Sequence, residues 1–368
     1  MFERSCRVEA EGVSIRDAEF NDSLYRMVWQ TNGTVGPDGN PAGDGQIVFA
    51  RVDPITGAVD TRHVMAFEGR PVPIGLVRNG PEWAHSARGW EVYYNCYTDD
   101  LEQPQICRAT QTHEGVTHAV LPGTAGLEML IPSVNTGDPA PRLLWQRFDG
   151  TFSAGATFGD YGWRMDEGSA VDHVLSGLDA VGVWVPDAAR LVGPGMTEDG
   201  QARPVFLFDT ETGGQELLVP NDKTYRGAIA WRAPELDGRL AMMTHVRQPE
   251  TGGFDLEVYR ETATGVWELW TVIDPICPAY GSSDSAEPLV YDGVSYLTLV
   301  SLTGNSKATD PGIVWLTHVD PDAPADKAHR RLISNDSCED PGVNRRDPES
   351  LLLANGLGAR IYFVRPDL

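Results

Sequence analysis

The hydrophobic positions of this chain fall in short runs that are rich in β-branched and aromatic residues. Such runs are typical of β-strands. Helical 3.6-residue periodicity is almost absent, so the pattern predicts an all-β protein. The seven strongest runs are LYRMVWQ (24–30), WEVYYNCYT (90–98), PRLLWQR (141–147), PVFLFDT (204–210), RLAMMTHV (239–246), VSYLTLVS (294–301) and ARIYFVR (359–365).

Each strong run follows a weaker strand and a turn of Gly, Asp or Asn, except in the fourth unit, where segment 187–203 replaces the short turn. The seven units start near 19, 82, 131, 180, 228, 287 and 349. This spacing suits β-propeller blades, which need about 40 to 50 residues plus loops. We therefore predict one β-propeller over residues 1–368 with seven blades. Six blades, a β-sandwich and two smaller β domains are the alternatives.

The two ends of the chain indicate how such a ring closes. The last unit ends at Leu368 after only two clear strands, whereas residues 2–10 form a strand-like segment without a partner. An N-terminal strand that completes the last blade removes the open sheet edge. We expect residues 2–10 to close the propeller in this way.

Charge and hydropathy narrow the range of partners. The chain has 29 basic and 53 acidic residues and a formal net charge of −24, which repels phosphate backbones and anionic lipid headgroups. We expect no nucleic-acid partner. No segment approaches the roughly 18 apolar residues of a membrane span, so we expect no membrane insertion. The segment MFERSCRVEA lacks the apolar core of a signal peptide; if the protein is exported, its leader has been removed.

Four glutamates occur at the same place in their units, and Pro132, Ala180 and Ala228 occupy that place in the third, fourth and fifth units. In a closed ring of seven, the four glutamate-bearing blades are consecutive. The innermost strand of each blade lines the central channel, so one side of the channel mouth is expected to be acidic. The four residues are Glu19, Glu82, Glu287 and Glu349.

Paired carboxylates in a channel mouth suit glycoside hydrolysis, which needs an acid and a nucleophile or base about 5 to 9 Å apart. We therefore treat the four glutamates as candidate catalytic residues. A polysaccharide lyase is the nearest variant, and a non-catalytic propeller that binds a glycan or a protein is the alternative. A purely structural role, tying neighbouring blades by ion pairs, is also open. The candidate substrate-binding residues are Trp83, His85, Tyr280, Asp284, Arg345, Arg346 and Asp347.

Three stretches resemble known propellers. PEWAHSARGWEVYYN (81–95) resembles the Pro-x-Trp-Ser-Pro-Asp-Gly repeat of TolB-like propellers, with Ala-His-Ser-Ala-Arg-Gly in place of the usual turn. AEPLVYDGVSYLTLVS (286–301) and RDPESLLLANGLGARIYFVR (346–365) are similar to strand pairs in glycosidases of the five-bladed propeller clans. The resemblance covers a small part of the chain. It implies a propeller and, through the two stretches 286–301 and 346–365, a carbohydrate-active enzyme.

Cofactor motifs are sparse. The eight histidines show no HxxxH or HxH spacing, and the chain has no P-loop, Rossmann fingerprint or GxSxG motif. Asp38, Asn40 and Asp44 vaguely resemble a calcium loop, but the glutamate of an EF-hand is missing. We expect no required cofactor, with calcium on the channel carboxylates as an open option.

Four of the five cysteines can be paired. Cys96 and Cys107 flank the turn TDDLEQPQ between two predicted strands, which makes a cross-strand disulfide geometrically reasonable. Cys277 and Cys338 lie in equivalent loops of neighbouring blades, ten and eleven residues before a glutamate. Disulfides would place the protein in an oxidising compartment, secreted or periplasmic. The alternative is five reduced cysteines in a cytoplasmic protein.

Overall fold

The computed structural model is all-β in the residues that it describes. Its only helical elements there are the single 3₁₀ turns Pro234–Leu236 and Ala354–Gly356. No helix in the described ranges is long and apolar enough to cross a membrane. The described residues are 13–35, 41–42, 46–64, 66–67, 70–71, 80–100, 102–112, 115–134, 140–151, 154–166, 171–180, 182–186, 189–197, 202–219, 223–304, 310–323, 330–334, 337–339 and 346–364.

The strands form consecutive antiparallel sheets in chain order. The first sheet contains β1 (Val13–Asn21), β2 (Arg26–Val35), the short β3 (Pro41–Ala42), β4 (Gln46–Val52) and β5 (Val59–Val64). A hairpin of β6 (Ala66–Phe67) and β7 (Arg70–Pro71) follows. The second sheet contains β8 (Glu82–Ser86), β9 (Gly89–Tyr97), β10 (Pro104–Thr112) and β11 (Gly115–Val120). The third contains β12 (Leu127–Val134), β13 (Arg142–Thr151), β14 (Gly155–Met165) and β15 (His173–Val174).

The remaining sheets repeat this plan. The fourth contains β16 (Val183–Trp184), β17 (Arg190–Pro194), β18 (Val205–Asp209) and β19 (Gln215–Leu217). The fifth contains β20 (Tyr225–Arg232), β21 (Leu240–Arg247), β22 (Phe254–Ala263) and β23 (Val266–Ile273). The sixth contains β24 (Ser282–Tyr291), β25 (Val294–Leu302), β26 (Gly312–His318) and β27 (Arg330–Leu332). The last pair is β28 (Arg346–Leu352) and β29 (Ala359–Val364).

The first strands of the sheets form a ring. β1 contacts β8, β8 contacts β12, and the contacts continue through β16, β20, β24 and β28 back to β1. Each four-stranded sheet then runs outwards from its first strand in sequence order. Radial sheets around a ring of first strands define a β-propeller, and the described part of the chain has six such blades, one of five strands and five of four. The predicted propeller is confirmed.

The predicted seven blades and closure by the N-terminal strand are not confirmed. The last unit is the two-stranded sheet β28–β29, which lies between the sixth blade and the first. It is tied to the first blade by a hydrogen bond of 2.8 Å from Ala354 N to Pro54 O and by the Phe20 and Tyr362 rings, whose centroids are 4.5 Å apart. Residues 2–10 lie outside the described residues.

The core lies between neighbouring blades. Tyr93 and Ile106 of the second blade pack with Met129 and Trp145 of the third in one buried cluster. Trp315 of the sixth blade packs against the fifth in the same manner and is fully buried. Burying such a side chain stabilises the fold by about 2 to 3 kcal/mol. Because each cluster joins two sheets, the blades stabilise one another around the ring.

Both disulfides predicted as options are present. Cys96 and Cys107 join the adjacent strands β9 and β10, with their Cα atoms 5.8 Å apart. Cys277 and Cys338 join the loops that lead into β24 and β28, with Cα atoms 5.6 Å apart. The second bridge therefore ties the two loops in front of Glu287 and Glu349. Cys6 lies outside the described residues.

Candidate functional site

The loop end of an innermost strand is the end at which an interblade loop leads into it. Several innermost strands have an irregular register at their loop end. β1, β24 and β28 each carry one extra residue relative to the partner strand, directly before the glutamate. A β-bulge of this kind bends a strand and re-aims its side chains. The three bulges lie between Arg16 and Glu19, Asp284 and Glu287, and Arg346 and Glu349.

Two of these bulges hold non-glycine residues in the left-handed region. Ser285 has φ 47° and Asp347 has φ 48°. The corresponding bulge on β20, between Arg226 and Ala228, has glycine at that place, and Gly227 has φ 68°. A side chain in this region costs about 1 to 2 kcal/mol, a cost that glycine avoids. Ser285 and Asp347 therefore carry a backbone cost that Gly227 of the fifth blade avoids.

The side chains at these bulges form a polar chain across three neighbouring inner strands. Ser285 N donates to Asp284 Oδ1 at 2.7 Å, and Ser285 Oγ donates to Asp347 Oδ1 at 3.0 Å. Arg226 Nη1 on β20 lies 3.6 Å from Asp284 Oδ2. The guanidinium of Arg226 lies over the Phe254 ring, and its side chain is 53% exposed. We call Arg226, Asp284, Ser285 and Asp347 the loop-end cluster.

The four candidate glutamates lie on adjacent strands, since β24 contacts β28, β28 contacts β1 and β1 contacts β8. Glu82 is buried, and the other three side chains are half-buried. In β20 the position equivalent to Glu287, counted from the bulge of each strand, is Ile229. This is one position after the expected Ala228. The matching place in the fifth blade is apolar in either case.

The two aromatic candidates pack in the interior of the protein. Trp83 is buried, donates from Nε1 to Glu19 O at 3.3 Å and lies edge-on to Phe49. Tyr280 is buried and donates from its hydroxyl to Cys338 O at 3.1 Å. Stacking on a sugar ring requires an open aromatic face, which neither residue presents. Trp83 fixes the first blade to the second, and Tyr280 fixes the disulfide loop.

The remaining candidates divide by position. His85 is exposed on β8, with its ring centroid 5.0 Å from that of Trp90. Arg346 pairs with Val364 through its backbone, and nothing is described of its side chain. Arg345 lies outside the described residues, as does most of the calcium-like loop around Asp38. Among the described residues, no group of three or more His, Cys, Asp or Glu could hold a metal ion.

A second charged cluster, which the sequence did not reveal, lies at the opposite end of the inner strands, where the hairpin turn joins the first and second strands. At this turn end, Asp166 Oδ2 accepts hydrogen bonds from Arg88 Nη2 and Arg108 Nη1, both at 2.5 Å, and from the Tyr93 hydroxyl at 2.6 Å. Glu91 accepts from Arg88 Nη2 at 2.8 Å. We call these five residues the turn-end cluster.

The electrostatics of the turn-end cluster are those of a satisfied ion network. Burial raises the pKa of Glu91, but hydrogen bonds from Arg88 and Ser86 and the charges of both arginines outweigh burial and hold the pKa below its usual range. Burial and the Asp166 charge raise the pKa of Tyr93 well above its ordinary value, so its hydroxyl stays a donor. The cluster joins the second blade to the third. Asp166 follows β14, and no sequence motif links it to Arg88.

Comparisons with known proteins extend the description of the fold. No protein-family model and no curated protein matches the sequence. Among solved structures, TolB from Acinetobacter baumannii is similar over 84% of this chain and 66% of its own, with 14% identity and a TM-score of 0.46. An acylaminoacyl peptidase from Pyrococcus horikoshii is similar over 82% and 45%, with 12% identity and a TM-score of 0.47.

A propeller glycosidase is also among the similar structures. The GH32 β-fructofuranosidase of Bombyx mori is similar over 56% of this chain and 50% of its own, with 12% identity and a TM-score of 0.36. The present chain thus spans less than two thirds of the length of all three proteins. Their functions are mixed, so they assign none to this chain. The chain is a β-propeller, and the solved propellers similar to it include TolB and a propeller glycosidase.

Proposed function

We propose that the protein is a non-catalytic binding propeller that recognises a hydroxyl-rich ligand, a glycan, at the loop end of its inner strands. The observation that carries this proposal is the left-handed conformation of Ser285 and Asp347. Backbone strain of this kind persists where the surrounding structure needs the side chain, and it concentrates at ligand sites.

The chemistry of the loop-end cluster suits sugar hydroxyls. Asp284 and Asp347 supply carboxylate acceptors, Ser285 supplies a hydroxyl, and Arg226 supplies a half-exposed guanidinium. Charge-assisted hydrogen bonds from such groups are stronger than neutral ones. The repetition of the glutamates favours binding over catalysis, because a catalytic residue is normally unique to one blade.

The cellular location of the protein and the closure of the propeller ring form part of the same proposal. The two disulfides favour an oxidising compartment, and we assign the protein to the periplasm or the secreted fraction. We also propose that β28–β29 is the inner half of a seventh blade, completed by residues 2–10, so that residues 1–368 form one domain.

The test compares glycine substitutions at the two ends of the inner hairpins. Ser285→Gly and Asp347→Gly remove the cluster's side chains and relieve the left-handed strain. Asp292→Gly and Asn355→Gly are matched controls, since these residues also have positive φ, 51° and 56°, but lie in hairpin turns. A glycan array with the wild type finds the ligand, and titration calorimetry then measures affinity for the variants.

We expect Ser285→Gly and Asp347→Gly to lower affinity at least about tenfold, equivalent to about 1.4 kcal/mol. The free energy of unfolding should stay within about 1 kcal/mol of the wild type. The turn controls should bind normally. Equal affinity in all four variants, or an array without any bound glycan, would contradict the proposal.

A glycosidase or lyase is the second candidate, favoured by the adjacency of the four glutamate-bearing strands. In that case Glu→Gln at Glu19, Glu82, Glu287 or Glu349 abolishes the release of sugar product from a polysaccharide panel while the variant stays folded. Mass spectrometry of the products decides between hydrolysis and elimination. Saturable binding of a glycan with no product excludes this second candidate for that glycan. Calcium dependence is tested separately by thermal melting with calcium and with a chelator.

A further inference from the structure

The outer strand of the fifth blade, β23, exposes apolar side chains along an open sheet edge. Val266, Leu269 and Val272 are 53%, 49% and 44% exposed. Each other outer strand exposes at most one large apolar side chain among those described. Within the described residues, β23 pairs only with β22, so its other edge is unpaired. Exposed apolar surface of this kind marks interaction sites.

β23 also lacks most of the features that normally protect an edge strand. Natural edges carry lysine, proline or very short strands that prevent pairing with another chain. β23 is eight residues long, and its sequence VWELWTVI has no lysine or proline. Its one charged residue, Glu268, is held by Arg260 on the neighbouring strand, at 2.6 Å. A single register shift at Trp270 is the only bulge in its central part.

The end of β23 leads directly into a cleft of about 420 Å³ between the fifth and sixth blades. Val272 and Ile273 line it on one side, and Val319 and Pro321 line it on the other. The lining combines these four apolar side chains with six polar or charged ones, so the cleft offers apolar contact and charge together. The cleft and the exposed edge are therefore continuous.

The cleft lining contains two acidic residues and one arginine. Asp274 and Asp320 contribute carboxylates, whereas Arg330 contributes the one guanidinium of the lining. Arg330 is already engaged, because it donates to Asp274 O and lies over the Trp315 ring. Buried His318 also lines the cleft and lies 3.8 Å from Glu235. A cationic group suits this lining better than an anionic one.

We propose that β23 and the adjoining cleft bind an extended, positively charged polypeptide partner. Its backbone pairs with the open edge of β23, its apolar side chains cover Leu269 and Val272 on one face of the sheet, and one lysine or arginine side chain enters the cleft. Strand addition to an exposed edge is an established mode of peptide recognition. A second copy of this chain is disfavoured as the occupant, because each copy carries a net charge of −24.

The probe is a fluorescein-labelled nonapeptide of alternating lysine and valine, followed by fluorescence anisotropy with the full chain. Leu269→Lys places a charge on the open edge; its matched control is Leu217→Lys on the outer strand β19, where Leu217 is 45% exposed. Asp274→Asn removes a cleft carboxylate; its control is Asp237→Asn in an exposed turn. A glutamate–valine peptide and a lysine–valine peptide with central proline complete the set.

We expect saturable binding of the lysine–valine peptide, about tenfold weaker in Leu269→Lys and about three- to fivefold weaker in Asp274→Asn. Both controls should stay within about twofold of the wild type, and the acidic and proline peptides should bind weakly. Absence of saturable binding, or equal losses in variants and controls, would overturn the proposal. So would sedimentation showing a wild-type dimer that Leu269→Lys dissociates, since the occupant would then be a second copy.

Discussion

The two ends of the innermost hairpins contain the same unusual backbone conformation for different reasons. At the turn end, Asp292 and Asn355 have positive φ and are each followed by glycine. Asp-Gly and Asn-Gly are the residues that tight hairpin turns favour. At the loop end, Ser285 and Asp347 have positive φ inside bulges, where the fifth blade has Gly227. Local turn geometry explains the positive φ values at the turn end, whereas side-chain chemistry explains the positive φ values at the loop end.

The ends also differ in how they are held together. The turn end carries the cluster of Arg88, Glu91 and Asp166, whose charges satisfy one another between two blades. The loop end carries strained bulges, a half-exposed arginine and a disulfide between neighbouring loops. The turn end is therefore held by charges between blades, whereas the loop end is held by a disulfide and is the site of the binding that we propose.

The largest effect of a single substitution is expected from Asp166→Ala at the turn end, which removes three hydrogen bonds to one carboxylate. Because Arg88 and Arg108 are 41% and 21% exposed and both keep Glu91 as a partner, the free energy of unfolding should fall by about 2 to 3 kcal/mol. Asp160→Ala is the control in the same blade, because Asp160 is an exposed residue of β14. It should lose less than about 1 kcal/mol. Urea denaturation measures both, and equal losses would show that the turn-end cluster is not a stabilising network.

Removing each disulfide in turn tests how the loop end is held together. In the chain-entropy view, a bridge across 61 residues stabilises by about 4 kcal/mol and one across 11 residues by about 3 kcal/mol. The Cys277→Ser/Cys338→Ser variant should therefore unfold at lower denaturant than Cys96→Ser/Cys107→Ser. It should also weaken glycan binding, since its loops precede the loop-end cluster. If the pair within the blade proved the more damaging, the long bridge would not be what holds the loop end.

Acid should weaken the turn end through Glu91. The pKa of Glu91 in the folded state lies below its ordinary value near 4.5, so its contribution to stability is present above that value and is lost as the pH falls through the lowered pKa. Glu91→Gln should be less stable than the wild type at pH 7 and should lose less stability between pH 5 and pH 3. Thermal melting across this range checks the slopes, and parallel curves would contradict the assignment.

The smallest effect on stability is expected from glycine at the left-handed positions. Ser285→Gly relieves strain but adds unfolded-state entropy and removes one hydrogen bond, so these contributions nearly cancel to within about 1 kcal/mol. Asp292→Gly should change stability by a similarly small amount. The two variants should differ in ligand affinity alone. A large loss of stability in Ser285→Gly would mean that the Asp347 contact is structural.

Much of the architecture could be predicted because it depends on local patterns. Alternating apolar strands and Asp-Gly turns such as Asp292-Gly293 predicted the hairpins, and unit spacing predicted the propeller. Cysteine positions indicated both disulfides. Trp83 and Tyr280 show the limit, since an aromatic residue near a predicted channel can face either the ligand or the neighbouring blade. The structure places both in the interior.

The candidate site could be predicted only in outline. The repeated glutamates located the loop end and the strands that surround it, while Arg226 and Ser285 carried no motif. Their relation to Asp284 and Asp347 depends on bulges whose extra residue is visible only once two strands are in register. The roles of the four glutamates stay predictions.

The sequence by itself determined the all-β class and the repeating hairpins, because strand periodicity and turn chemistry act over short distances, and it offered both cysteine pairs as one option. Only the tertiary structure decided which polar residues meet. Ser285 with Asp347 and Arg88 with Asp166 lie 62 and 78 residues apart in the chain. They are neighbours because consecutive blades pack side by side, and no local pattern encodes that contact.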